Sequence, residues 1–182
     1  MSFGWEGEKV RLVPLDEERH LANALAWLND PEVTAWTLVG DMPITRLAEQ
    51  DYFRRMASGS ERDVAFAIET VTGEHIGFCG IHEIDHRHGV GKTGTVIGRS
   101  DLWRRGYGVD AAHVRTRYAF EVLGLRMLLS ETIEGNEASV RMLARVGYRE
   151  VGRIPRRYFK RGAYRDALLF ALEREEWQNR SS

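Results

Sequence analysis

The sequence contains little cysteine, no long apolar run and no long basic run, and each absence narrows what the protein can be. A single cysteine, Cys79, excludes an internal disulfide, and its apolar neighbours favour a buried structural thiol over a nucleophile. No apolar run reaches the roughly 18 to 20 residues of a membrane span, and the first residues lack the charged and apolar blocks of a signal peptide. Extended nucleic-acid binding is also disfavoured, because no long basic run and no platform of interleaved aromatic residues is found. We expect a cytoplasmic protein that binds neither membranes nor nucleic acid.

Length and composition are typical of one folded domain. The 182 residues, 43% hydrophobic and 29% charged, can bury a core without disulfides or metal, so we expect a single domain over residues 1–182. The net charge of -1 hides an asymmetry: residues 1–102 hold 10 Lys and Arg against 17 Asp and Glu, whereas residues 103–182 hold 16 against 10. The basic part suits an anionic ligand and the acidic part a cationic one, although uneven surface charge alone gives the same pattern.

Hydrophobic periodicity, capping residues and turns predict alternating strands and helices. The helices are predicted to begin at Asp16, at Thr45, after Gly108 and at Asn136. The strands are predicted over residues 10–14, 64–68, 75–84, 93–98, 127–133, 148–154 and 163–172. In the second helix Leu47, Tyr52, Phe53 and Met56 are expected to turn inward, and Val122 belongs to the apolar face of the third. This order indicates one mixed α/β domain.

The segment over residues 103–110, Trp-Arg-Arg-Gly-Tyr-Gly-Val-Asp, leads from a strand into a helix. Gly106 and Gly108 let the backbone approach a ligand closely, and Arg104 and Arg105 place positive charge beside the amides. Such a helix N-terminus binds anions, and a diphosphate is the natural guest. A glycine pair that only starts a helix is the alternative on this segment alone.

Two other patterns carry little weight. Gly91-Lys92-Thr93 ends like the phosphate-binding loop of nucleotide hydrolases, but His86 stands where that motif needs glycine, and no helix follows. A second cluster, His82, Glu83, Asp85, His86 and His88, is rich in metal ligands. Its spacing matches no closed structural site, so a solvated hairpin is favoured and no metal is expected.

Taken together, several motifs resemble the GNAT acyltransferases. The run over residues 97–111 is similar to the acetyl-coenzyme A loop of that family. Residues 136–148, Asn-Glu-Ala-Ser through Gly-Tyr, are similar to its Asn-x-x-Ser helix and the Gly-Phe/Tyr that follows. The two ends of the chain, residues 11–33 and 162–177, resemble the RimJ/RimL-like branch, which acetylates amines. The wider family places Gln or Arg where Trp103 stands, and an aromatic residue there is common in this branch.

The resemblance implies a fold and a donor. The expected GNAT fold has a mixed central sheet of about six or seven strands flanked by about four helices. Acetyl-CoA is the implied acyl donor, with its pyrophosphate on the backbone of the 103–110 segment and its pantetheine arm paired with the strand that ends at Val96 and Ile97. The implied cofactor-binding residues are Val96, Ile97, Trp103, Arg104, Arg105, Gly106, Tyr107, Gly108, Val109, Asn136 and Ser139.

The resemblance also suggests the reaction: transfer of an acetyl group to a primary amine, of a small molecule or a protein N-terminus, by direct attack in a ternary complex. Many members use a tyrosine as the proton donor to the thiolate, but here Leu143 holds that position, so Ser139 is the candidate acid. The candidate bases are Glu83 and Asp85. Residues expected at the acceptor pocket are Trp36, Asp41 and Tyr52. A homodimer is possible, and a module that senses acyl-CoA with little or no turnover is the alternative.

Overall fold

The structure is a computed structural model and describes residues 5–181. Within this range eight strands form one sheet in the order β1-β2-β3-β4-β5-β6-β8-β7. The strands are β1 (Trp5–Glu6), β2 (Val10–Pro14), β3 (Val64–Thr70), β4 (His75–Asp85), β5 (Val90–Ile97), β6 (Met127–Ile133), β7 (Arg149–Lys160) and β8 (Ala163–Glu173). The helices are α1 (Glu17–Leu28), α2 (Arg46–Ala57), α3 (Tyr107–Glu121), α4 (Glu137–Val146) and α5 (Arg174–Ser181). The mixed α/β architecture predicted from the sequence is confirmed.

Three helices begin where the capping residues predict. Asp16 accepts a hydrogen bond from the Arg19 amide over 2.9 Å, and Thr45 accepts from the Ala48 amide over 3.2 Å. Asn136 caps α4 in the same way, because its side chain accepts a hydrogen bond from the Ser139 amide. Each cap satisfies a backbone N–H that the first turn of a helix leaves unpaired.

The single parallel pairing among the described strands joins β5 to β6, and every other neighbouring pair is antiparallel. A parallel pair needs a long crossover, which α3 provides. Helices cover both faces of the sheet. Phe78 packs with α1 and α2, whereas its neighbour Cys79 packs with Ala111 and Val114 of α3. Adjacent strand residues point to opposite faces, so β4 lies in the middle of two hydrophobic layers.

The structure adds to the sequence prediction and corrects parts of it. The short β1 and the C-terminal α5 were not predicted, and β7 continues six residues beyond position 154, to Lys160. Leu47 and Val122 were expected to face inward but are 65% and 50% exposed. Leu47 lies roughly 120° around α2 from Phe53, the hydrophobic residue that this helix buries, and Val122 follows the last turn of α3.

Candidate active site

The central feature of the site is a wedge between β5 and β6. The two strands pair from Val90 with Met127 to Thr93 with Ser130, and no register pair follows although both strands continue. Side-chain hydrogen bonds hold the two strands together at the closed end of the wedge, where they are paired. Thr93 Oγ1 donates to the Leu129 carbonyl and Ser130 Oγ donates to the Thr93 carbonyl, each over 3.2 Å. The open end lies at the carboxyl ends of the strands, where ligands of α/β sheets bind.

The N-terminus of α3 lies at this open end. Gly106 caps the helix with a φ of 89°, which a residue with a side chain rarely adopts. A Cβ added to Gly108 would stand 3.6 Å from both Ile97 of β5 and Met142 of α4, so this glycine lies where the strand and both helices meet. The amide of Asp110 donates to the Gly106 carbonyl, which leaves the amides of Tyr107, Gly108 and Val109 ahead of the first intrahelical bond. These amides form a cradle that fits a phosphate group.

Positive side chains surround the cradle, including one that the sequence analysis missed. Arg104 and Arg105 are exposed in the turn before α3, and Arg104 has a φ of 62°. The Lys9 ammonium lies 5.7 Å from the centroid of the Tyr107 ring, and its Cε is 3.4 Å from the position of a Cβ on Gly106. No motif signals Lys9, because the β1–β2 turn reaches α3 only in the folded chain.

The carboxylate of Asp110 holds that turn in place. It accepts hydrogen bonds from the amides of Glu8, Lys9 and Val10 over 3.2, 2.8 and 2.9 Å. The last residue of the 103–110 segment therefore serves the fold, and it also brings the Lys9 ammonium to the cradle.

Trp103 fixes the end of the strand expected to hold the pantetheine arm. Its indole Nε1 donates to the Ile97 carbonyl over 2.8 Å. That carbonyl is thereby committed to the protein, while Val96 and Ile97 remain half-buried beside the wedge. The open strip of β5 backbone fits an extended arm of the donor, because an extended ligand can pair with an exposed strand.

The buried side chain of Arg115 contacts the same segment of β5 from the face of the sheet that α3 covers. Arg115 of α3 is 1% exposed, and its Nη1 donates to the Gly94 carbonyl over 2.9 Å and to Thr95 Oγ1 over 2.5 Å. Gly94 and Thr95 are the first residues of β5 beyond its last pair with β6. Among the described residues, Nε and Nη2 of Arg115 have no hydrogen-bond partner. No sequence motif marks Arg115, which is one of several charged residues in α3.

The N-terminus of α4 forms the other side of the open end. The Asn136 side chain accepts from the Ser139 amide over 3.2 Å and donates to the Trp36 carbonyl over 3.3 Å. The Ser139 hydroxyl is half-buried and makes no hydrogen bond within residues 5–181. Leu143, at the position where many GNAT members carry tyrosine, is fully buried in the core. No proton donor can act from that position, whereas the Ser139 hydroxyl is available to a ligand.

The two candidate bases differ in position. Glu83 is exposed, has a φ of 49° at an irregularity of β4, and pairs with Lys92 over 2.6 Å. Lys92 immediately precedes the last residue of β5 that pairs with β6. Asp85 pairs in register with Val90, at the opposite end of β5 from the open wedge. Hydrogen bonds from His88 lower the pKa of Asp85. The structure places both carboxylates beside the paired part of β5, with Glu83 nearer than Asp85 to the open end.

The three expected acceptor residues lie in different environments. The Trp36 ring packs on Gly135, where a Cβ would come within 2.8 Å of it, and Trp36 is bonded to Asn136, so it adjoins the N-terminus of α4. Asp41 is ion-paired with Lys160 of the β7–β8 hairpin. Tyr52 is half-buried in α2, where burial raises the pKa of its hydroxyl. Trp36 alone of the three contacts a residue of the proposed catalytic helix.

Two surface depressions lie outside this region. The larger, about 520 Å³, is lined by Glu17, Leu21 and Arg46 between α1 and α2. The smaller, about 220 Å³, is lined by Pro14, Met56 and neighbouring residues. Neither is lined by a residue of β5 or β6.

Several polar residues are accounted for by other contacts. Cys79 is buried, as expected, and burial raises the pKa of its thiol to about 12. The histidines of the candidate metal cluster have separate partners: His82 contacts Asp63, and His86 contacts the Glu61 carbonyl. Residues 5–181 contain no group of three metal-ligating side chains, and none of their helices is long and apolar enough to cross a membrane.

A splayed pair of parallel strands flanked by two helix N-termini defines a class of acyltransferases that hold an acyl-CoA between the strands. The chain belongs to the GNAT acetyltransferases, because the family profile described as Acetyltransferase (GNAT) domain matches residues 9–149. Members of this family are acyltransferases, and acetyl-CoA is the donor that the family uses.

Relatives and solved structures agree with this assignment. The uncharacterized N-acetyltransferase YoaA of Bacillus subtilis (strain 168) is 26% identical over 113 residues, which are 62% of this chain and 63% of that protein. The match thus spans less than two thirds of the relative. The spermidine N-acetyltransferase of Vibrio cholerae, in complex with CoA and spermine, has a TM-score of 0.85 at 16% identity over 93% of this chain and 98% of that one. Mycobacterium smegmatis RimJ, in complex with CoA-disulfide, has a TM-score of 0.78 at 23% identity over 92% and 83%. At these identities the two structures establish the fold.

Proposed function

We propose that the chain is an acetyl-CoA-dependent N-acetyltransferase whose acceptor is a primary amine, of a small molecule or a protein N-terminus. The observation that carries the proposal is the β5–β6 wedge, whose open end lies between the N-termini of α3 and α4. We further propose that residues 1–182 act as one domain and that the chain belongs to the RimJ/RimL-like branch. A homodimer and a cytoplasmic location stay predictions from the sequence.

In this proposal the cradle of α3 holds the donor. The amides of Tyr107, Gly108 and Val109 bind the pyrophosphate, and the charges of Arg104, Arg105 and Lys9 add to the partial positive charge of the helix N-terminus. The β5 strip from Gly94 to Ile97 lies alongside the pantetheine arm. The thioester is thereby directed between the strands toward α4.

The chemistry then requires that one bond forms, one bond breaks, the amine loses a proton and the thiolate gains one. The nitrogen of the neutral amine forms the new C–N bond at the thioester carbonyl carbon, and the C–S bond breaks. The proton that the amine loses passes to Glu83 or to water, and the thiolate takes a proton from the Ser139 hydroxyl, which recovers one from solvent. Holding both reactants at the wedge supplies proximity, which lowers the barrier without further groups.

The acceptor side of the site is formed by the segment between α1 and α2. We propose that Trp36 lines the acceptor pocket, because its carbonyl and its ring both contact the 135–136 turn that starts α4. Asp41 and Tyr52 are expected at the acceptor pocket from the sequence, and their part in binding the acceptor stays a prediction.

A thiol-release assay with acetyl-CoA and a panel of amines tests the proposal. Release of free thiol that depends on one class of amine supports an N-acetyltransferase. The buried Leu143 at the usual acid position favours one other function, an acyl-CoA sensor. Tight binding of CoA in calorimetry, with no acyl transfer to any peptide, polyamine, amino sugar or amino acid, would establish the sensor instead.

Replacement of Ser139 by alanine tests the proton donor. If Ser139 protonates the thiolate, the Ser139→Ala variant loses about 100-fold in kcat while its KM for acetyl-CoA stays near that of the parent. Ser58→Ala, at the C-terminal end of α2, is the matched control and should keep full activity. An unchanged kcat in Ser139→Ala would remove Ser139 from the chemistry and leave the fold and the donor site untouched.

A further inference from the structure

The β7–β8 hairpin carries an excess of positive charge beside the acceptor side of the site. Residues 153–165 include six Lys and Arg and no Asp or Glu. Three of these cations are paired: Arg153 with Glu134 and Asp166, Arg157 with Glu131, and Lys160 with Asp41. The remaining three are Arg156, Arg161 and Arg165. Within the described part of the chain none of these three forms an ion pair.

Two of the unpaired guanidinium groups lie directly on the Trp36 ring. The Cζ atoms of Arg161 and Arg165 are 5.4 and 5.2 Å from its centroid. A guanidinium that stacks on an aromatic ring uses its face, which leaves the N–H groups at its edge for other partners. One of these, Arg165 Nε, donates to the Lys160 carbonyl over 3.4 Å. Those edges can bind a carboxylate or a phosphate with two parallel hydrogen bonds.

The position of Trp36 connects these charges to the reacting centre. The ring packs on Gly135, whose φ of 100° and lack of a side chain allow the close contact, and the Trp36 carbonyl is bonded to Asn136. Asn136 in turn caps the turn that carries Ser139. The two arginines therefore stand next to the helix N-terminus at which the amine is expected to react.

The acidic residue expected to attract a cationic acceptor does not offset this charge. Asp41 is the partner of Lys160, which is 5% exposed and needs a counter-charge because it is buried. The carboxylates of Glu131, Glu134 and Asp166 also contact arginines of the hairpin. A polyamine would bring a second ammonium against Arg161 and Arg165, and these four carboxylates are already paired with cations of the hairpin.

We propose that the acceptor is a small amine that also bears an anionic group, a carboxylate or a phosphate, and that Arg161 and Arg165 bind this group. The assignment rests on the N-acetyltransferase function proposed above and names its substrate class. The same positive charges favour the neutral form of the acceptor's amino group, which is the form that attacks the thioester. The site thus has less need of a strong general base.

Matched pairs of amines test the proposal on the unmodified protein. O-phosphoethanolamine is compared with ethanolamine, β-alanine with β-alaninamide, and spermidine serves as the polycation, with thiol release as the readout. We expect at least one anionic member to exceed its neutral partner in kcat/KM by about 10-fold or more, and spermidine to be the poorest acceptor. The phosphate and carboxylate pairs show which anion the arginines prefer. Equal or higher kcat/KM for both neutral partners, or for spermidine, would overturn the substrate class while leaving the acetyltransferase function in place.

Two variants test whether Arg161 and Arg165 cause the preference for an anionic acceptor. Arg161→Gln and Arg165→Gln should each reduce the preference for the anionic member by raising the acceptor KM, and each should leave the KM for acetyl-CoA unchanged. Arg149→Gln, which removes an exposed arginine paired with Glu173 and Glu176, is the control and should keep the preference. A preference that survives in both hairpin variants would overturn the role of these arginines. Absence of thiol release with every amine would refute the proposed function and this inference together.

Discussion

The side-chain nitrogen of Asn136 donates a hydrogen bond to the Trp36 carbonyl over 3.3 Å and thereby joins the segment after α1 to the first turn of α4. The oxygen of the same amide caps α4 by accepting from the Ser139 amide. One side chain therefore holds the proposed acceptor wall and the proposed proton donor in a fixed relation. The two hydrogen bonds can be separated by mutation, because a carboxylate in place of the amide keeps an acceptor oxygen but has no N–H donor.

Substitutions of Asn136 should distinguish capping from positioning. Asn136→Asp keeps an oxygen that caps α4 but loses the donor to Trp36, so we expect nearly unchanged stability and an acceptor KM raised about fivefold. Asn136→Ala loses both bonds and should also lower the free energy of unfolding by about 1 kcal/mol. Urea unfolding and steady-state kinetics measure the two effects. Equal acceptor KM values for Asn136→Asp and the parent would show that the Trp36 bond has no part in binding.

Replacement of Gly108 by alanine should separate donor binding from stability. A Cβ there meets its nearest atoms at 3.6 Å, an ordinary contact, and alanine favours a helix over glycine, so stability should stay equal or rise by up to about 1 kcal/mol. The same Cβ would obstruct the approach of a pyrophosphate to the cradle, so the Kd for CoA should rise about 10-fold. Gly152→Ala in β7, where a Cβ also finds 3.6 Å of room, is the control and should not change CoA binding. Unchanged affinity in Gly108→Ala would place the pyrophosphate elsewhere.

Replacement of Arg115 by methionine should alter donor binding without unfolding the protein. The guanidinium is buried without a carboxylate partner, so an apolar side chain of similar length should leave stability equal or raise it by about 1 kcal/mol or more. The Gly94 carbonyl and the Thr95 hydroxyl lose the group that fixes them, so we expect the acetyl-CoA KM to increase more than kcat falls. Calorimetric melting and a KM against kcat comparison measure these effects. A large loss of stability with unchanged KM would make Arg115 a structural residue only.

Stability should fall as the pH is lowered through the range in which histidine titrates. Burial, with a smaller contribution from His20, lowers the pKa of His75 to about 4. The unfolded chain, with an ordinary pKa near 6.5, binds a proton that the folded state excludes. The contribution of His75 to stability should therefore be fully present above about pH 6.5. Below that pH the free energy of unfolding should decrease by up to about 1.4 kcal/mol per pH unit because of this group.

Urea unfolding between about pH 7.5 and 5 measures this slope. His75→Gln should show a shallower slope than the parent, whatever its absolute stability. His86→Gln, which alters an exposed histidine, is the control and should keep the parental slope. A parental slope in His75→Gln would assign the pH dependence to other groups, of which His20, whose pKa burial also lowers, is the first to test.

The parts of the fold that the sequence predicts are those that local chemistry controls. Asp16, Thr45 and Asn136 start helices at the expected places because a cap acts within three residues. The cradle at Gly106 and Gly108 is likewise local, and it was recognised from the residues of one turn. The predictions for Leu47 and Val122 were wrong because a hydrophobic side chain near the end of a helix needs a partner surface, which periodicity cannot supply.

What the sequence could not supply are contacts between distant segments. Lys9 comes close to the proposed donor site through Asp110, about a hundred positions away, and Arg115 reaches β5 only because α3 crosses that strand. The charge of the acceptor side shows the same limit. An acidic N-terminal half suggested a cationic acceptor, but Asp41 pairs with Lys160 and leaves Arg161 and Arg165 beside Trp36.

The sequence by itself indicated the family, the order of the elements from β2 to β8 and the turn proposed to hold the donor, because each depends on residues that are neighbours along the chain. The tertiary structure alone decided how far β5 and β6 separate, which carboxylates are already paired and which cations remain unpaired near α4. These properties depend on which side chains meet across the sheet. Composition gives the total charge of a segment, whereas the folded structure decides which of those charges can act on a ligand.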